Sequence, residues 1–337
     1  MKKRPGLLSL LFLLGAPLVL VFTPHVAEWP RDKVLITGEA SAAYEKAFDR
    51  NLSIRPFAIA TWGVIQYALF GEGRSGVLVG EGGWLYTREE FEQGTGLEAN
   101  LAEIIRINDE LEQNNIRLVV ALIPDKSRVY PEHLGHYYRS VRMERRYQGV
   151  RERLSSAGVI VPDLLTPLAA AKAEGDVFLH TDTHWTARGA KVAASILAQY
   201  LPKGEQVFVT TQGDAALHTG DLLKFIPLGF MQTRLGPPFD MLQAETTHAA
   251  ESGDLLGEPE IPGTLVGTSY SANPLWNFEG ALKEATASDI LNVAADGKGF
   301  LVPMREYLAS ESFRMHPPRF IIWDFPERMA SVKYDVP

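Results

Sequence analysis

The sequence predicts an α/β protein built on a doubly wound, mostly parallel sheet flanked by helices. Three observations point there. Short aliphatic runs at 77–80, 116–123, 159–161, 264–266 and 320–323 alternate with helical stretches. The run 116–123 (IRLVVALI) is almost wholly apolar, as expected of a strand covered on both faces. Two runs end in polar turns, Pro124-Asp125-Lys126 and Gly267-Thr268-Ser269, and open α/β sheets carry their chemistry beyond the carboxyl ends of strands.

In chain order, Lys2, Lys3 and Arg4 precede a run from Gly6 to Thr23 that carries no charge. That pattern reads as a signal anchor, with a cleaved signal peptide as the second reading, over 1–25. The basic cap would stay cytoplasmic and place the rest beyond the inner membrane. Residues 26–75 read as a helical linker region ended by Gly71 and Gly73, and 76–337 as the main domain. Within it, 77–80 is a short strand and 84–86 a second extended piece after the Gly82-Gly83 turn. Residues 101–114 form a helix with Leu101, Ile104, Ile105, Asn108 and Leu111 on one face. Residues 141–157 read as a basic surface helix, and 164–173 and 187–200 as two more helices. Residues 210–250 are polar and broken by Gly and Pro, which predicts an insertion or long functional loop. A helix is expected over 280–292 and a last strand at 320–323.

Composition narrows the chemistry. The 337 residues contain no cysteine, which removes disulfide frameworks, thiolate zinc sites and Cys nucleophiles. With 33 Lys+Arg against 41 Asp+Glu the net charge is −8, which argues against nucleic acid as a partner.

Two motifs carry the chemistry that remains. In His180-Thr181-Asp182-Thr183-His184-Trp185-Thr186, a carboxylate two residues before an imidazole is placed to hold one tautomer and leave the other nitrogen as a base. The competing readings are a capping Asp beside a surface His, and a metal site built from His180, Asp182 and His184. In Leu265-Val266-Gly267-Thr268-Ser269-Tyr270-Ser271, an apolar strand delivers a serine at a turn whose backbone N–H groups are available to an oxyanion. The competing reading is a polar strand-to-loop turn. Asn273 and Asn277 offer further donors or helix caps. His184 and Ser269 are 85 residues apart (269 − 184), and only folding decides whether they meet.

With these motifs the chain resembles the SGNH-hydrolase-like family of alginate O-acetyltransferases, AlgJ and AlgX, and their cellulose-acetylation relatives. The resemblance rests on Thr181-Asp182-Thr183-His184-Trp185-Thr186 with Gly189, and on Gly267-Thr268-Ser269-Tyr270-Ser271. It is supported by Gly80-Glu81-Gly82-Gly83-Trp84-Leu85, Ile123-Pro124-Asp125-Lys126 with Tyr130-Pro131, Gly220-Asp221-Leu222, and Ile322-Trp323-Asp324-Phe325-Pro326-Glu327-Arg328. It implies an SGNH-hydrolase-like fold, Ser269 as nucleophile, His184 as base and Asp182 as its orienting carboxylate. It implies a periplasmic enzyme without cofactor or metal that moves acetyl groups onto hydroxyls of an exported polysaccharide. A membrane-bound O-acyltransferase would supply the acetyl group. Only nine residues follow Arg328, too few for the carbohydrate-binding module of AlgX, so the likeness leans to AlgJ. Tyr270, Trp185 and Trp276 are candidates for stacking on sugar faces, and Arg305, Arg314 and Arg328 for pairing with uronate carboxylates. A carbohydrate acetyl esterase with the same triad, or a non-catalytic polysaccharide-binding subunit, are the alternative readings.

Overall fold

In a computed structural model, residues 34, 37–51, 55–137, 139–250 and 261–334 are described. The expected anchor over 1–25 lies outside them. Among the described residues no helix is long and apolar enough to cross a membrane. The chain divides into two compact units, one of residues up to 72 with 226–236, the other of 73–225 with 237–337.

In the first unit, α1 (Glu39–Asn51) and α2 (Arg55–Ile65) run through the stretch expected to be helical, and α2 continues as a π turn, Gln66–Phe70. Gly71 ends it in the left-handed region at φ 64°. Gly63 on α2 packs directly on the backbone of Pro227, where a side chain would overlap the Pro227 carbonyl.

The second unit opens with the hairpin β1 (Val77–Val79) and β2 (Leu85–Thr87). It continues through α3 (Leu97–Gln113), β3 (Arg117–Ile123), α4 (Arg146–Ser156), α5 (Leu165–Ala171) and α6 (Ala187–Leu197). Next come β4 (Phe208–His218), β5 (Asp240–Ala249), β6 (Gly263–Val266), α7 (Phe278–Thr286), β7 (Ile290–Asn292), α8 (Leu301–Leu308) and β8 (Phe320–Pro326). The main sheet has the order β3-β8-β6-β7 with every pairing parallel, and Ile160 adds a single parallel bridge beside Val119.

Alternation along these strands feeds two cores, because successive side chains leave opposite faces. Val119, Ala121, Ile123, Leu265 and Ile322 pack toward α5, α6 and α7. Leu118, Val120, Leu122, Val266, Ile321 and Trp323 pack toward α3, α4 and α8. The result is a three-layer sandwich whose strands β3, β6 and β8 all end at one edge.

Three expectations change. Residues 210–250, expected as an insertion or long functional loop, carry regular structure the sequence did not suggest: β4 and β5 pair antiparallel across the connecting 219–239, with a bulge between Gln212 and Ala215. Both faces of this hairpin are largely exposed, so it lacks the hydrophobic alternation that marks a half-buried strand. The helix expected over 280–292 stops at Thr286, and Ile290–Asn292 is a strand too short to show a period. The basic helix over 141–157 breaks at Arg145 into Val141–Glu144 and α4, and buries Arg146, Tyr147, Val150 and Leu154.

Candidate active site

Ser269 opens a one-turn helix, Ser269–Ala272, immediately beyond β6. Gly267 has no side chain because a Cβ there would overlap the Asp324 carboxylate on β8. Asp324 accepts hydrogen bonds from the Thr268 N–H (3.2 Å), the Thr268 hydroxyl (2.6 Å) and the Ser271 hydroxyl. It is fully buried, and burial pushes its carboxyl up to about 6 even though the Ser271 and Thr268 hydrogen bonds pull the other way. The Ser269 turn is thus tied to the neighbouring strand on both sides of the serine.

His184 lies within hydrogen-bond reach of both partners named by the sequence. Its Nε2 is 2.7 Å from Ser269 Oγ, and its Nδ1 is 2.6 Å from Asp182 Oδ1. The second oxygen of Asp182 accepts from His218 Nε2 (2.9 Å) and from the Asp221 N–H (3.0 Å). Burial alone would raise the Asp182 carboxyl, but the hydrogen bonds from His184 and His218 win and hold it well below the usual carboxylate range. The same bond to Asp182 raises His218 above an ordinary histidine, against its own partial burial. Trp276 stacks on the His184 ring at 5.0 Å and meets His218 edge-on at 5.8 Å.

The loop carrying Asp182 and His184 is pinned from several directions. Asp240, at the start of β5, accepts the N–H groups of His180 (2.7 Å) and Thr181 (2.9 Å). Asp221, just after β4, accepts the N–H and hydroxyl of Thr183 (both 2.8 Å). Beneath the loop, the fully buried Lys126 donates to the carbonyls of Leu179 (2.9 Å), His180 (3.1 Å) and Asp182 (2.7 Å). Burial pulls its ammonium down to about 8. The adjacent Asp125 faces the other way, into a buried ionic cluster with Arg146, Glu327 and Arg328. The Asp-Lys pair just beyond β3 therefore splits between the loop carrying Asp182 and His184 and the buried ionic cluster.

A cavity of about 610 Å³ opens over these groups, with Ser269, His184, His218, Asn273, Trp276 and Arg328 in its wall. The Asn273 side-chain oxygen accepts from the Leu275 N–H (3.0 Å). Its amide NH₂ and the Ser269 backbone N–H have no protein acceptor among the described residues. Tyr270 is buried and ties the nucleophile turn to the opposite loop, its hydroxyl donating to the Thr183 carbonyl at 2.6 Å.

Other expected residues stand elsewhere. Asn277 holds the N-terminal flanking position of α7 without a side-chain capping bond, and its amide donates to Thr247 Oγ1 (2.9 Å), outside the cavity wall. Trp185 is fully buried against Tyr270 and Phe278, so it packs the core and meets no sugar. Arg305 pairs with Glu103 on the far side of the sheet. The metal reading built on His180 is not supported by its geometry: that ring bonds Asp176 (2.9 Å) and lies against Trp84. The three groups that do converge are Asp182, His184 and Asp221, and their donor atoms are already engaged with one another, with His218 or with Thr183. His218, Asp221 and Asp240 were not singled out from the sequence as site residues. The Gly220-Asp221-Leu222 stretch was the one available signal.

Comparison with known proteins agrees with this architecture. A family described as "SGNH hydrolase-like domain, acetyltransferase AlgX" matches residues 77–327. A probable alginate O-acetylase AlgJ of Pseudomonas aeruginosa is 42% identical over 325 residues, covering 90% of this chain and 83% of that one. Its counterpart in Azotobacter vinelandii is 41% identical over 317 residues, covering 90% and 82%. The solved O-acetyltransferase domain of Pseudomonas putida AlgJ superposes with a TM-score of 0.72 at 42% identity, over 78% of this chain and 95% of that domain. Pseudomonas aeruginosa AlgX gives 0.63 at 28% identity, over 77% and 63%. Fold, motifs and relatives converge, and the chain belongs to the AlgJ/AlgX family of SGNH-hydrolase-like O-acetyltransferases.

Proposed function

We propose that this acetyltransferase acts in the periplasm, tethered by residues 1–25, and moves acetyl groups onto alginate hydroxyls through an acetyl-Ser269 intermediate. The observation that carries the reading is His184, bonded through one nitrogen to Asp182 and through the other to Ser269. Alginate as acceptor rests on the relatives that are named alginate O-acetylases.

In the first half-reaction His184 Nε2 takes the Ser269 proton while Oγ attacks the acetyl carbonyl of the donor. The resulting oxyanion is met by the Ser269 N–H and the Asn273 amide. Collapse expels the donor's alcohol or thiol, which leaves with the proton from His184. In the second, an alginate hydroxyl gives its proton to His184 and attacks the acetyl-serine. Collapse returns the proton to Ser269 Oγ. Asp182 keeps the Nδ1 proton on the side away from serine, and His218 with the Asp221 N–H keeps Asp182 ionised and in place. Arg328 in the cavity wall supports recognition of a uronate carboxylate, while Trp276, 1% exposed, packs against the His184 ring. The acetyl donor is taken to be a membrane-bound O-acyltransferase.

The test is incubation of the full chain with an acetyl-ester reporter, with and without mannuronate oligomers. Transfer predicts oligomers heavier by one or more acetyl groups in the mass spectrum. Free acetate as the sole product, at a rate oligomers do not change, would make the protein an esterase. Ser269→Ala and His184→Ala are each expected to lose about 10⁴-fold or more in turnover. Unchanged polymer acetylation in cells carrying either variant would leave only a binding role.

A further inference from the structure

Helix α2 and the π turn that extends it bury the wrong face for a helix in water. No charged residue lies between Arg55 and Glu72. The two fully covered positions are small, Ala60 and Gly63, which pack on the 227–229 segment with Ala60 beneath Gly229, while Ile59, Val64 and Tyr67 are half-buried beside them. The bulky side chains point out. Phe57 is 58% exposed, Trp62 58%, Leu69 73% and Phe70 62%, and Ala58, Thr61 and Ala68 are exposed between them. Residues 57, 58, 61, 62 and 65 fall on one face of α2, roughly 140° wide at 100° per residue, and the π turn that follows leaves Ala68, Leu69 and Phe70 exposed as well. Phe230, in the turn Gly229–Met231 that packs against α2, is 73% exposed as well. Isolated exposed apolar residues are ordinary, but a continuous aromatic and aliphatic stripe marks a surface that meets something apolar.

We propose that this stripe is seated in the interfacial region of a lipid bilayer, with Phe57, Trp62, Leu69, Phe70 and Phe230 among the acyl-chain boundary groups. The occupant follows from the chain that precedes it. Phe57 comes 34 residues after Thr23 (57 − 23), and 13 of those residues are folded into α1. The uncharged run from Gly6 to Thr23, headed by Lys2, Lys3 and Arg4, therefore holds α2 close to any membrane it enters. The proposal rests on the anchor reading given above. Trp and Phe have the chemistry of that layer, where an amphipathic ring gains from leaving water without entering the hydrocarbon centre. The 16 residues from Arg55 to Phe70 are too few to span a bilayer and enough to lie along one. The N-terminal segment thus ties the chain to the membrane, and α2 lays the first unit flat against it.

The absence of cysteine makes the test direct, because one introduced thiol is the only one that labels. The full chain carrying Leu69→Cys, with an environment-sensitive fluorophore on the thiol, is reconstituted with vesicles of phosphatidylethanolamine and phosphatidylglycerol. Lys203→Cys, at an exposed position of the second unit, serves as the reference. The expected result at position 69 is a blue-shifted emission, iodide quenching several-fold weaker than at 203, and strong quenching by a headgroup-proximal nitroxide lipid. Three results overturn the proposal: iodide quenching at 69 equal to that at 203; protection from iodide and from the nitroxide lipid alike, which assigns the stripe to residues 1–33 or a second copy; or failure of the chain to float with vesicles. Acetyl-ester turnover in the same samples reports on the Ser269 reading separately, since it needs no membrane.

Discussion

Asp182 and Asp324 serve the same serine from different parts of the chain, and their surroundings differ in kind. Asp182 sits in a loop, faces two imidazoles and two backbone N–H groups, and is held ionised. Asp324 sits at the end of a central strand, faces two hydroxyls and a backbone N–H, and is pushed toward its neutral form. The first arrangement keeps a negative charge beside imidazoles that can become cationic, as the proposed mechanism requires of His184. The second needs only acceptors that fix a turn. A carboxylate's job at this site is set by whether its partners can carry positive charge.

The largest expected effect comes from Asp182→Asn. The amide is nearly isosteric but favours the wrong His184 tautomer, so acetyl-ester turnover should fall about 10⁴-fold while the circular dichroism spectrum is unchanged. Asp324→Ala should act on the scaffold instead. It strands the Thr268 N–H and two hydroxyls, and should lower unfolding free energy by about 3 kcal/mol in a urea titration. If Asp324→Asn reduced turnover as much as Asp182→Asn, with stability intact, the division between the two carboxylates would collapse.

The pair also predicts opposite pH dependence. Asp182 has a depressed folded value, so its stabilisation is complete above the unfolded value of about 4 and is lost as pH falls further. Asp324 has a raised one, near 6, so the folded state binds its proton more readily than the unfolded chain. Its unfavourable contribution is fully present above about 6 and relieved as pH falls toward 4, a change on the order of 3 kcal/mol. Against Asp324→Asn, the unaltered protein should therefore gain relative stability between pH 7 and pH 5.

Two smaller effects sharpen the picture on the Asp182 side. Asn273→Ala should cost about 10²-fold in kcat if its amide meets the oxyanion, with little change in KM. His218→Gln retains a donor toward Asp182 and should cost only about 10-fold, less than His218→Ala. An equal loss from both would mean that the ring, and not the hydrogen bond, is what matters.

Much of the α/β frame was legible because its strands are apolar runs ended by Pro, Gly or Asp, signals that need no tertiary context. Asp182, His184 and Ser269 stood out because two short motifs carry all three. The supports of that trio did not stand out. His218, Asp221 and Asp240 lie in and around the exposed β4–β5 hairpin, where Thr, Gln and Ala on both faces leave no period to read. Lys126 lies in the Pro124-Asp125-Lys126 turn, but nothing in the sequence distinguishes a buried lysine from a solvated one. Asn277 and Asn273 look alike in sequence. Which one reaches the cavity depends on Asn277 adopting a left-handed conformation at φ 49° and turning to Thr247.

The hairpin has one more consequence. A ribosome delivers His184 well before Asp221, Asp240 and Ser269, so the imidazole emerges without the groups that fix its loop or the alcohol it is to activate. Until the last of these has emerged, His184 lacks both the carboxylates that fix its loop and the hydroxyl it bonds in the folded chain.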